Sequence, residues 1–94
     1  MLERDLEKLF SRRVTERGGL SRKWQNQQSR GVPDRLVIHN GQVFFVELKQ
    51  TGKKPTKLQE VEHKKIRSHG KEVYVVAGKE EMESWLEKYL PEVI

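Results

Sequence analysis

The chain is predicted to be an α/β protein in which helices cover both faces of a small mixed sheet. Three observations predict this. A hairpin signal joins two strands that are apolar on both faces, a helix-sized segment separates that hairpin from a later β-rich run, and helical periodicity occupies both ends of the chain. The element order that follows is α, a short β, two further β, α, β, α.

Leu2, Leu6, Leu9, Phe10 and Val14 recur at helical spacing and Gly18-Gly19 follows as a stop, which places the first helix over residues 2–17. Residues 20–25 form a short edge strand carrying Trp24, and 26–31 a polar loop. Asn40-Gly41, between the β-rich runs 34–39 and 42–49, signals a two-residue type I′ turn. Leu36, Ile38, Val43 and Phe45 share one face of that hairpin, and Val37, Phe44, Val46 and Leu48 the other. After a glycine-and-lysine loop over 50–55, Thr56-Lys57-Leu58-Gln59 has the form of a capping box and opens a second helix that Gly70 ends. Leu58, Val61, Glu62 and Ile66 give this helix a narrow stripe to bury. Val73–Val76 form the next strand, parallel to the one before the helix because the helix carries the chain across. Gly78 opens a last helix with Met82, Trp85, Leu86, Tyr89 and Leu90 on one face, and Pro91 breaks it.

The hairpin arithmetic puts chemistry in the sheet. If His39 pairs with Gln42, then Leu36 faces Phe45 and Asp34 faces Glu47. Directly opposed residues have Cβ atoms about 4.5–5.5 Å apart, and like charges there destabilise a sheet. A hard, oxygen-seeking cation such as Mg²⁺ or Mn²⁺ offsets that repulsion. Lys49, two residues beyond Glu47, projects from the same face, so two acids, a cation and an amine make equipment for hydrolysing a phosphodiester. Two alternatives stay open: a three-residue loop with a bulge at Gly41 sets Asp34 opposite Val46, and a salt bridge between Glu47 and Lys49 explains the pair without a metal.

Ninety-four residues allow one domain with a modest core. The net charge of +5 gathers at Arg12-Arg13, Arg22-Lys23, Lys53-Lys54-Lys57 and Lys64-Lys65-Arg67, clusters that favour a polyanion. The absence of cysteine excludes a disulfide framework, a thiolate nucleophile and a Cys-type zinc site, and suits a reducing cytoplasm. No apolar stretch reaches the length of a membrane span or a signal-peptide core, so a soluble protein is expected.

Asp34 followed by Glu47-x-Lys49 resembles the PD-(D/E)XK nuclease signature, with Pro33-Asp34 supplying its leading dipeptide. Gly31-Val32-Pro33-Asp34-Arg35-Leu36, Phe45-Val46-Glu47-Leu48-Lys49, Gln59-x-x-x-His63 and Gly70 resemble more closely the virus-type replication-repair nuclease domain, VRR-NUC, over nearly the whole chain. The resemblance implies a restriction-endonuclease-like αβββαβ core with an added C-terminal helix. It also implies Mg²⁺ or Mn²⁺ bound by Asp34, Glu47 and the Leu48 carbonyl, and a DNA endonuclease similar to Holliday-junction resolvases. Stand-alone members are often phage-encoded, so the cytoplasm would be that of a bacterial host.

The first-helix acid of such families maps by spacing onto Glu7, reaching the metal directly or through water, with Glu3, one turn away, as its rival. Gln59 resembles the family glutamine beside the site, although helix capping explains its position equally well. His63 contacts a phosphate or covers a helix face; with His39 and His69 it lacks metal-ligand spacing and is left out of the metal set. Arg35 projects from the strand face opposite Asp34, which favours a structural or DNA-facing role. Lys23, Arg30, Lys53 and Lys54 are the phosphate-contact candidates, and Trp24 is expected in the core rather than stacked on a base. Cutting both strands of a duplex or junction calls for a homodimer, with the first or last helix as interface. The rival function is a basic, non-catalytic DNA-binding accessory module, and a further one a structural interaction domain without nucleic-acid affinity.

Overall fold

Asn40 and Gly41 adopt φ of 49° and 78°, the left-handed pair that a type I′ turn demands. The strands leaving that turn, β2 (Arg35–His39) and β3 (Gln42–Lys49), therefore pair antiparallel with His39 opposite Gln42, Leu36 opposite Phe45 and Arg35 opposite Val46. The even register is the one adopted. The computed structural model describes residues 1–26, 28 and 30–92. Ahead of the hairpin lie α1 (Glu3–Glu16) and β1 (Leu20–Lys23), and after it come α2 (Lys57–Ser68), β4 (Val73–Ala77) and α3 (Gly78–Tyr89).

The four strands form one sheet in the order β1-β2-β3-β4, with β4 parallel to β3 and the other neighbours antiparallel. This is the mixed sheet expected of a hairpin extended on one side by an edge strand and on the other by a helical crossover. The edge strand stops at Lys23, two residues short of the sequence expectation, although the Trp24 N–H still donates to the Asp34 carbonyl at 2.9 Å. Asp34 lies in a bend just ahead of β2, following Pro33, which has no N–H to give a ladder.

One face of the sheet carries the apolar core. Val37, Phe44, Val46, Leu48 and Val76 pack against Leu6, Phe10 and Val14 of α1 and against Met82, Trp85, Leu86 and Leu90 around α3. The opposite face receives α2, which the Thr56 capping box starts: Thr56 Oγ1 accepts from the Gln59 N–H and Gln59 Oε1 accepts from the Thr56 N–H. The expected stripe of α2 needs correction. Leu58 and Val61 are exposed, and the helix turns His63 fully inward with Gln59 and Ile66 half-buried beside it. The reason lies underneath, where β3 presents Glu47 and Lys49, so burying apolar side chains there would leave a carboxylate without partners.

Candidate active site

Continuing the hairpin register by one residue brings Asp34 opposite Glu47, and the strands lock the pair in place. The Leu48 N–H donates to Asp34 Oδ2 at 2.9 Å, binding the aspartate across to β3. Glu47 has no solvent exposure, being covered by α2, and Gln59 Nε2 donates to its Oε2 at 2.9 Å. One amide thus caps a helix with its oxygen and holds an acid with its nitrogen, so the two readings of Gln59 coexist. Lys49, on the same strand face and mostly buried, sets its Nζ 3.6 Å from Glu47 Oε2.

A third carboxylate completes the group, and it is Glu3. One oxygen each from Glu3, Asp34 and Glu47 lie within 4.8 Å of one another. Glu7, the residue that sequence spacing favoured, is placed elsewhere: its Oε1 lies 3.4 Å from Arg35 Nε. Arg35 alternates with Asp34, faces α1 and claims the acid level with it. Four residues of helix advance about 6 Å along the axis, which carries Glu3 past Arg35 to the end of β3 where the other acids converge.

Burial and the neighbouring carboxylates raise the proton affinity of two of these acids, Glu47 and Glu3. Glu47 is pushed up to about 8, chiefly by burial and next by the charge of Asp34 and a proton shared with it, with Lys49 pulling the other way. Glu3 is also raised, by burial first and by Asp34 and Glu7, against Lys49. One ammonium faces three carboxylates, and Glu47 Oε1 is a sealed acceptor without a hydrogen-bond partner. Three convergent hard oxygens with a charge deficit fit a divalent cation of the Mg²⁺ or Mn²⁺ kind.

The same architecture recurs in a solved VRR_NUC domain, which matches with a TM-score of 0.84 at 34% identity over 93% of this chain and 96% of that one. A phage protein named "Putative nuclease p44", from Acyrthosiphon pisum secondary endosymbiont phage 1, is 41% identical over 75 residues, 79% of this chain and 81% of that protein. This chain belongs to the VRR-NUC family. No family model matches it.

Two features of this VRR-NUC chain escaped the sequence reading. His63 is buried, with Nε2 3.7 Å from Glu47 Oε1, so it neither meets a phosphate nor covers an exposed face. Its spacing of four from Gln59 was the available signal, since both then share one face of α2. Gly31, at φ +89°, lies against the first turn of α2: a Cβ there would come within 2.6 Å of the Leu58 carbonyl oxygen. That contact sets the loop before Asp34 directly on the residues that present Gln59.

Lys23, Arg30, Lys53 and Lys54 are all exposed, Lys23 at the end of β1 and the other three in loops. Trp24 is half-buried, its ring 5.6 Å from Phe45 on the sheet face of Asp34. Of the other histidines, His39 lies at the hairpin turn, and His69 Nδ1 is 2.8 Å from the Lys65 carbonyl at the end of α2. No described helix is long and apolar enough to cross a membrane.

Proposed function

We propose that this VRR-NUC chain is one domain acting as a divalent-metal-dependent DNA endonuclease, selective for branched structures in the manner of a junction resolvase. The observation that carries the reading is the convergence of Glu3, Asp34 and Glu47 beside the amine of Lys49. These three carboxylates and the Leu48 carbonyl would hold the ion, with Glu3 in the place that spacing had assigned to Glu7. Mg²⁺ or Mn²⁺ bound there supplies Lewis-acid polarisation of a phosphate and acidifies water.

The protein's own groups do the rest. Lys49 orients the attacking water and stabilises the charge that grows on the pentavalent phosphate. Gln59 fixes the plane of Glu47 through Oε2, and Glu7 anchors Arg35, bracing α1 so that Glu3 reaches the site. Lys23, Arg30, Lys53 and Lys54 contribute salt-sensitive affinity for the phosphate backbone with little sequence preference. Incision of both strands brings two such sites together in a two-fold dimer.

The test is cleavage of four-way junctions, flaps and linear duplex with Mg²⁺ or Mn²⁺, comparing the wild type with Asp34→Ala and Glu47→Ala. Both variants should bind DNA and fail to cut. Undiminished function in both would make the chain a basic DNA-binding accessory module instead, and equal cutting of linear and branched DNA would remove the structural selectivity.

A further inference from the structure

We infer that His63 is a positioning residue for Glu47, its Nε2–H directed at Oε1 while Gln59 holds Oε2, so that α2 grips both oxygens of the carboxylate from behind. The inference rests on the proposed metal-dependent activity, because fixing the plane of Glu47 matters only if that group is a ligand.

Four observations carry it. The ring is 1% exposed, which removes it from any phosphate. Its Nε2 and Glu47 Oε1 are both sealed from solvent and both lack a hydrogen-bond partner, and they lie 3.7 Å apart. A buried donor and a buried acceptor left unmade are each destabilising, so a small rotation that closes the gap satisfies two atoms at once. Gln59 and His63 are four residues apart, one above the other on the inward face of α2, and they approach different oxygens of one carboxylate.

Other roles for the ring agree less well with its surroundings. Among the described residues the convergent metal-ligating group comprises Glu3, Asp34 and Glu47, with no histidine in it. Nor is His63 a core filler, because the apolar cluster lies on the opposite face of the sheet. Partners that orient a ligating carboxylate typically change metal affinity by about 10–100-fold when removed.

The test begins with metal-free wild type. Long-range proton–nitrogen NMR of the histidines at neutral pH should find a proton on Nε2 of His63, and a bare Nε2 would overturn the inference. Mn²⁺ titration calorimetry then compares wild type with His63→Leu, which fills the space without a donor, and with His63→Gln, whose amide reaches the Nε2 position. The leucine variant should bind Mn²⁺ about 10–100-fold more weakly, with kcat lowered and KM for DNA unchanged, while the glutamine variant stays close to wild type. If the leucine variant does not fold, His63→Asn replaces it, since its shorter amide falls short of Oε1. Wild-type affinity in the donor-less variant would overturn the positioning role and leave the nuclease reading intact. Absence of Mn²⁺ binding by the wild type would overturn both. Spin-echo spectra of the Mn²⁺-loaded wild type should lack a directly bound nitrogen; its presence would make His63 a ligand rather than a positioning group.

Discussion

Replacing Glu47 by glutamine should stabilise the metal-free protein at alkaline pH while abolishing metal-dependent cleavage. Glu47 is raised from 4.5 to about 8 in the folded state, by burial and by Asp34. As pH rises from 4.5 the unfolded chain loses this proton while the folded chain keeps it, so the folded state binds more protons and stability falls across that window. The stabilisation is complete below about pH 4.5, where both states are protonated, and is lost by the time pH passes about 8. A gap of roughly three and a half pH units corresponds to about 5 kcal/mol at most. Asp34 and Glu3 are only half-buried and can turn toward water, so about 2–3 kcal/mol is the realistic loss. Glutamine carries no charge and still accepts from Gln59, so it should flatten the profile. Thermal unfolding in EDTA from pH 5 to 9 measures it: wild type should lose about 10–20 °C and the variant little, with saturating Mg²⁺ abolishing the wild-type decline. Parallel declines in the two proteins would refute the argument that the buried carboxylate is their cause.

Three further outcomes are expected. Glu3→Gln should weaken Mn²⁺ binding directly, whereas Glu7→Gln should act mainly on stability by stranding Arg35; calorimetry and melting of the two variants separate the effects. Gly31→Ala should cost about 1–3 kcal/mol of stability from its positive φ alone. It should also weaken Mn²⁺ binding, because the new Cβ pushes the Leu58 carbonyl, and with it Gln59, away from Glu47, which denaturant melts and calorimetry will show. Substituting Lys53 and Lys54 by alanine should lower DNA affinity uniformly across sequences and reduce the slope of log affinity against log salt by about 2, measured by fluorescence anisotropy.

What was legible in the chain was whatever neighbouring residues decide among themselves. Asn40-Gly41 signals a turn of two residues, and once that turn is taken over the bulged loop every cross-strand partner from His39 and Gln42 to Arg35 and Val46 follows by counting. Thr56 and Gln59 satisfy each other within one helical turn, so the start of α2 could be read without its surroundings. The edge strand was less legible because a strand of four residues with exposed ends carries little alternation.

Sequence by itself narrowed the hairpin to two registers, and in the even one, which the structure adopts, an aspartate, a glutamate and a lysine share one end of one sheet face. Only the tertiary structure decided which acid of α1 joins them and which side of α2 looks down on Glu47. Glu3 and Glu7 lie one turn apart on the same helix, and the periodic pattern favours Glu7, which sits beside the buried stripe through Phe10. What separates them is how far α1 slides along the sheet, and Arg35 settles that from a different element. The inward turn of His63 likewise depends on the rotation of α2 over a polar patch that belongs to β3. Offsets and rotations between elements come from packing across the sheet, where the partners are distant in sequence, and local pattern carries no record of them.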